Sequence, residues 1–171
     1  MHANLPGRAA RSARSRPAGA GQSFSLSYPD NWQVYGDQKA NTLTIAPREG
    51  LLRESSGQIL IGYGLEVSYY VPPGKGVDLN RDTQALVRQQ KQSNAGMHIG
   101  RDTRSIQVGG QPALLTTLYS TSPYRNEQEV DALITVARPN GLFYAIFIAP
   151  QTEFDRIPST FEEVVRSVRF F

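Results

Sequence analysis

The sequence predicts an α+β domain in which helices cover a central antiparallel sheet. About seven short segments rich in β-branched and aromatic residues follow one another, separated by turns rich in Gly, Pro and Asn. Two further segments have the apolar spacing of helices that lie on a sheet. Strand and helix do not alternate along the chain, so a doubly wound nucleotide-binding fold is not expected.

The strand predictions depend on alternation of apolar and polar residues and on turn chemistry. Residues 24–28 alternate Phe, Leu and Tyr with Ser, which is the pattern of a half-buried strand. Residues 59–71 form a long β-rich run, whose glycines indicate a bulge or close approach of another backbone. Gly109-Gly110 is typical of a hairpin turn. Residues 142–148 are apolar on both faces and therefore predict the most central strand.

Both helices have recognisable starts. The first has a single helical stripe with steps of 4, 3, 1 and 3 residues, made of Leu79, Thr83, Leu86, Val87 and Gln90. Asp78 or Asn80 caps its N terminus. The second begins with Ser159-Thr160-Phe161-Glu162, which has the spacing of a capping box. Phe170 and Phe171 after it indicate an edge strand or an anchor.

Charge separates the N-terminal segment from the remainder of the chain. The net charge is +3, but residues 1–22 hold four arginines and no acid. The remainder carries 14 basic and 15 acidic side chains, so nucleic-acid binding is not expected from the core. We predict a disordered basic linker or tail over residues 1–22 and a single domain over residues 23–171. Whether that segment is a linker, a targeting segment or an artefact stays open.

Composition also limits the chemistry and the compartment. The chain has no cysteine, which excludes thiol catalysis, thiolate metal sites and disulfides. It has no run of about 18 apolar residues, so no transmembrane segment is expected. The compartment stays unknown. A soluble protein located outside the cytoplasm, or held at a membrane through a partner, agrees with this composition.

Candidate chemical sites are few. His98 is the single histidine outside residues 1–22, and a lone loop histidine is more often solvated than a ligand. Glu127, Glu129 and Asp131 occupy alternate positions, where carboxylate oxygens could hold Ca²⁺. The simpler interpretation, which we favour, is a solvated rim that protects a sheet edge. We therefore assign no catalytic, cofactor-binding or metal-binding residue, no cofactor and no small-molecule substrate.

Tyr69 and Tyr70 are the strongest candidates for a binding surface. Adjacent side chains on a strand point to opposite faces, so one of them lies under a helix or is exposed. Tyrosine is a frequent anchor of protein interfaces. Together with Pro72 and Pro73, these residues form the predicted docking surface.

The order of these parts resembles the bacterial branch of the PsbP-like (Mog/PsbP) superfamily over about residues 22–171. The motifs are Phe24-x-Leu26-x-Tyr28-Pro29-x-x-Trp32, a middle helix, the hairpin at Gly109-Gly110-Gln111-Pro112, an apolar strand ending in Ala149-Pro150, and Phe161-x-x-Val164-x-x-Ser167-Val168-x-Phe170. The resemblance implies an α/β/α sandwich around an antiparallel sheet, used mainly for protein docking.

Two functional hypotheses follow from these observations. The leading one is a non-catalytic binding or accessory module that docks on a partner protein or on its own parent polypeptide. The alternative is the C-terminal fragment of a membrane-associated zinc metallopeptidase, because the chain also resembles domains appended to such enzymes. The sequence lacks His-Glu-x-x-His, so the catalytic domain of such an enzyme would lie outside it. Binding of nucleic acid through residues 1–22 is a further alternative, which deletion of that segment would test.

Overall fold

The computed structural model describes residues 10–15, 24–36, 42–123, 127–154 and 158–171. The helices are α1 (Leu79–Ser93), α2 (Gln151–Phe154) and α3 (Pro158–Ser167), with a 3₁₀ turn at Arg48–Gly50. The strands are β1 (Ala10–Ser15), β2 (Phe24–Pro29), β3 (Trp32–Tyr35), β4 (Thr42–Pro47), β5 (Leu51–Arg53), β6 (Ile59–Ile61), β7 (Gly64–Tyr70), β8 (His98–Val108), β9 (Gln111–Thr121), β10 (Gln128–Arg138), β11 (Gly141–Pro150) and β12 (Arg169–Phe170).

The main sheet has seven strands in the order β3-β4-β7-β11-β10-β9-β8, and every neighbouring pair is antiparallel. Strand β11 is the middle strand, which confirms the position predicted for residues 142–148. A small sheet has the order β1-β2-β12, and β5 pairs with β6. The predicted α+β class with a central antiparallel sheet is therefore confirmed.

Helices cover both faces of the main sheet. On one face, Phe143 and Phe147 of β11 pack with Val164 of α3 and Phe24 of the small sheet. On the opposite face, the neighbouring β11 side chains pack against α1 in a second cluster, which includes Leu86, Val87, Leu133, Leu142 and Ile146. This arrangement is the expected sandwich, with the small sheet sharing one face with α3.

The first helix begins as the sequence predicts. The Asp78 side chain accepts a hydrogen bond from the Arg81 backbone N–H at 2.7 Å, so Asp78 rather than Asn80 is the cap. Asp82 in the first turn is buried and accepts from the Asp78 backbone N–H at 2.8 Å. Further along, the hydroxyls of Thr83 and Thr135 share a buried hydrogen bond of 2.7 Å that joins α1 to β10.

The second helix begins at Pro158, one residue before the predicted cap, Ser159. Proline suits the first position of a helix because its missing N–H would have no intrahelical partner there. The predicted hairpin turn is confirmed, because Gly109 and Gly110 join β8 to β9 with φ angles of 57° and 75°.

The run over residues 59–71 forms two strands instead of one. The carbonyl of Gly50 accepts hydrogen bonds from the N–H groups of Gly62 and Tyr63, which separates β6 from β7. Gly64 then lies against β4, where an added Cβ would be 2.7 Å from the Cβ of Ala46. The close approach of another backbone is therefore confirmed at Gly64.

The structure of residues 10–15 differs from the prediction that residues 1–22 form a disordered linker. They form β1, which pairs with β2 from Ala10↔Pro29 to Ser15↔Phe24. Strand pairing uses backbone groups, so it does not require the large apolar side chains that this segment lacks. Residues 1–9 and 16–22 lie outside the described residues, and the division into a tail and one domain stays a prediction.

Replacement of a β11 core ring tests the role of this strand. Phe143 is 0% exposed, so we expect Phe143→Ala to lower the free energy of unfolding by about 3–5 kcal/mol. Phe171 is 67% exposed, and Phe171→Ala should change it by no more than about 0.5 kcal/mol. Urea unfolding followed by circular dichroism measures both; equal effects would contradict the central role of β11.

Candidate binding groove and buried acidic pair

A cavity of about 400 Å³ lies between α3 and the half of the main sheet formed by β8, β9 and β10. Its floor is apolar and includes Leu115 of β9 and Ile134 of β10. Phe161 and Val165, four residues apart on α3, form one wall. We name this cavity the α3 groove.

Charged side chains lie on the rim of the α3 groove. Arg166 contacts Glu162 at 2.9 Å, and both side chains are largely exposed, so this ion pair contributes little to stability. Arg104 of β8 is also exposed and has no ion pair with any described residue. The groove therefore combines an apolar floor with excess positive charge at its rim, which suits binding of an amphipathic, acidic group.

The structure separates the predicted docking residues. The Tyr69 ring packs on the α3 side of the sheet, with its centroid 5.6 Å from that of Phe143, and burial raises its pKa to about 12. Tyr70 packs against the cluster on the α1 side, as expected for adjacent strand residues. Pro72 is buried, whereas Pro73 is exposed.

These four residues therefore do not form one exposed aromatic patch. Between them lies Val71, which is 71% exposed, so the apolar surface at this end of the sheet belongs to Val71 and Pro73. Docking through Tyr69, Tyr70, Pro72 and Pro73 stays a prediction.

Glu129 and Asp131 form a buried acidic pair, and the solvated rim favoured from the sequence is wrong for them. Both lie on β10, between β9 and β11, with exposed fractions of 7% and 3%. Ser120 donates a hydrogen bond to Glu129 Oε1 at 2.7 Å. Glu129 Oε2 and Asp131 Oδ1 have no hydrogen-bond partner among the residues described. Glu127 accepts a hydrogen bond from the hydroxyl of Thr152.

Burial determines the protonation of this pair. Desolvation, with a smaller effect from the Glu129 charge, raises the pKa of Asp131 to about 8. Desolvation also raises the pKa of Glu129, while the hydrogen bond from Ser120 opposes the shift. Asp131 is therefore mostly protonated at pH 7, which avoids a buried, unpaired negative charge.

The other candidates from the sequence have simple surroundings. His98 is exposed and stacks on Tyr119, with ring centroids 5.4 Å apart. Among the described residues, no three His, Cys, Asp or Glu side chains are placed to hold a metal ion.

None of the described helices is both long and apolar enough to cross a membrane.

Comparison with known proteins identifies the architecture. The structure is similar to cyanobacterial PsbP (CyanoP) from Synechocystis, with a TM-score of 0.63 and 12% identity over 94% of this chain and 92% of that chain. The chain has the PsbP-like fold. It is also similar to the Ran-binding protein Mog1p of Saccharomyces cerevisiae, with a TM-score of 0.57 and 10% identity over 94% of this chain and 96% of that one.

A third PsbP-like structure is LpqN, which is involved in cell envelope biogenesis of Mycobacterium tuberculosis. The TM-score is 0.55, with 13% identity over 94% of this chain and 91% of LpqN. No protein-family model and no curated protein sequence matches the chain. The PsbP-like resemblance inferred from the order of sequence motifs is confirmed at the level of fold.

The buried acidic pair makes stability depend on pH. Asp131 has a pKa of about 8 when folded and about 4 when unfolded, so between these values the folded state holds the extra proton. The contribution of Asp131 to stability is therefore complete below about pH 4 and falls as pH rises from 5 to 8, by roughly 3–4 kcal/mol. Urea unfolding of the wild type across this pH range measures the loss.

Asp131→Asn provides the control for this dependence. The amide has a similar shape and does not titrate, so this variant should lose most of the decline in stability between pH 5 and pH 8. An unchanged decline in the variant would assign the pH dependence to other groups.

Proposed function

We propose that this protein is a non-catalytic binding module that docks on a partner protein or on its own parent polypeptide. The observation that carries the proposal is the composition of the α3 groove. Its floor is formed by Leu115, Ile134 and Phe147, and its charged groups lie at the rim. An apolar floor buries apolar side chains of a partner, and a polar rim surrounds them, as in protein interfaces.

Protein binding by a neighbour of the same fold supports the proposal. Mog1p is described as a Ran-binding protein, so the PsbP-like fold can present a surface to a protein partner. LpqN is involved in cell envelope biogenesis, which is in keeping with a role outside the cytoplasm or at a membrane through a partner. We therefore propose, for this chain, both a protein partner and a location outside the cytoplasm or at a membrane through that partner.

The surroundings of the polar groups favour binding over catalysis. The charged side chains that line the groove are Arg104, Glu162 and Arg166, and the last two form an ion pair with each other. General acid–base chemistry needs a donor and an acceptor directed at a common reacting atom. The buried acidic pair lies on the opposite face of the sheet from the groove, beside Leu133 and not in an open cleft. The metallopeptidase alternative depends only on the sequence resemblance.

Site-specific crosslinking tests this function. The chain contains no cysteine, so a single introduced Cys carries a photoreactive benzophenone at one position. Gln107→Cys places it at the α3 groove, Val71→Cys places it at the predicted docking surface, and Ile59→Cys, in β6, serves as the distant control. We expect one protein to crosslink at position 107 or 71 and not at position 59.

Reconstitution completes the test. The crosslinked protein, once purified, should bind the unlabelled wild type saturably with one-to-one stoichiometry in isothermal titration calorimetry. Identical crosslinks at all three positions, or a purified candidate that fails to saturate, would contradict protein docking.

A further inference from the structure

Strand β8 forms one edge of the main sheet, and one of its sides lies next to no other described strand. Its pairing with β9 shifts register between Ile99 and Thr103 and is then regular from Thr103↔Thr116 to Val108↔Gln111. An edge of this kind presents free backbone N–H and C=O groups at alternate residues, which a further strand can bind.

The regular part of this edge borders the α3 groove. Arg104 and Ile106 lie two residues apart, so they point to the same face, and both line the groove. A strand added beside β8 would lie about 4.8 Å from it. Every second side chain of that strand would then face the open side of the groove.

We propose that β8 and the α3 groove together receive an extended segment of a partner protein. The segment adds to the main sheet as an eighth strand beside residues 103–108. Its apolar side chains enter the groove, and one acidic side chain pairs with Arg104. This inference rests on the proposed function and names the chemistry of the partner.

Charge complementarity identifies this occupant. An added strand desolvates Arg104, and burial of an unpaired guanidinium group is unfavourable. A carboxylate from the segment removes this cost, because paired Arg–carboxylate hydrogen bonds are short and strong. Glu162 is less suited to that role, since it is already paired with Arg166 on the helix side of the groove.

A second copy of the chain fits this edge less well. Residues 103–108 contain Arg104 and no acidic residue, so the same stretch of another copy offers no carboxylate. The volume of about 400 Å³ holds a few side chains and is too small for a packed domain. An extended acidic and apolar segment satisfies both conditions.

Synthetic peptides test the pairing. The probe is a blocked peptide of about ten residues in which Val alternates with Thr and one central Val is replaced by Glu. The matched control has Lys in place of Glu. We expect nuclear magnetic resonance titration of the wild type to show saturable shifts in β8, β9 and α3, with the Lys peptide at least about tenfold weaker.

Two changes separate strand addition from a general charge effect. Arg104→Glu should reverse the preference, so that the Lys peptide binds more tightly than the Glu peptide. Ile59→Glu, which alters an exposed residue of β6 away from the groove, should leave it unchanged. N-methylation of the peptide amides on one edge should abolish binding, whereas N-methylation on the other edge should preserve it.

Several outcomes would overturn the inference. These are an unchanged preference in Arg104→Glu, insensitivity to N-methylation on either edge, and self-association of the wild type through β8 in place of peptide binding. If a purified protein partner binds Arg104→Glu as tightly as wild type, the inference fails while the proposed function stands. If no protein partner binds saturably, the proposed function itself fails.

Discussion

Strand β11 is apolar on both faces, and the packing on each side of the sheet depends on it. Phe143 contacts the rings of Phe24 and Phe170, with centroids 5.1 and 5.0 Å away, and so holds the small sheet. The ring centroid of Phe147 lies 5.3 Å from that of Phe161, so Phe147 packs against α3. On the other face, neighbouring residues of the same strand meet α1. Because side chains alternate along a strand, ten residues are enough to anchor both covering layers.

The coverage of these two faces is unequal. Helix α1 has 15 residues and α3 has 10, and the small sheet occupies part of the face that α3 covers. Near β11, many aromatic rings lie in the layer that α3 and the small sheet form on this face. Towards β8, the α3 groove lies between α3 and strands β8, β9 and β10. Every described residue that lines the groove belongs to a strand or a helix, and none belongs to a connecting loop.

The buried acidic pair shows a different compromise. Glu129 and Asp131 lie on the α1 face of a strand whose neighbouring positions are apolar, and Ser120 donates a side-chain hydrogen bond to Glu129. Protonation of Asp131 makes this burial tolerable near neutral pH. Because the pair and the groove lie on opposite faces of the sheet, protonation and binding need not influence each other through direct contact.

The sequence by itself indicated the antiparallel class, the central position of residues 142–148, the turn at Gly109-Gly110 and a helix cap at Asp78 or Asn80, because apolar patterning, turn residues and capping residues leave signals within short segments of the chain. Only the tertiary structure decided that Glu129 is buried, that Tyr69 and Tyr70 belong to different cores, and that β8 is an edge beside a groove. Alternation reveals which side chains share a face of a strand, but it does not reveal which strands are neighbours or which layer covers that face. Burial, pKa and the shape of a groove depend on those neighbours, and the fold alone brings them together.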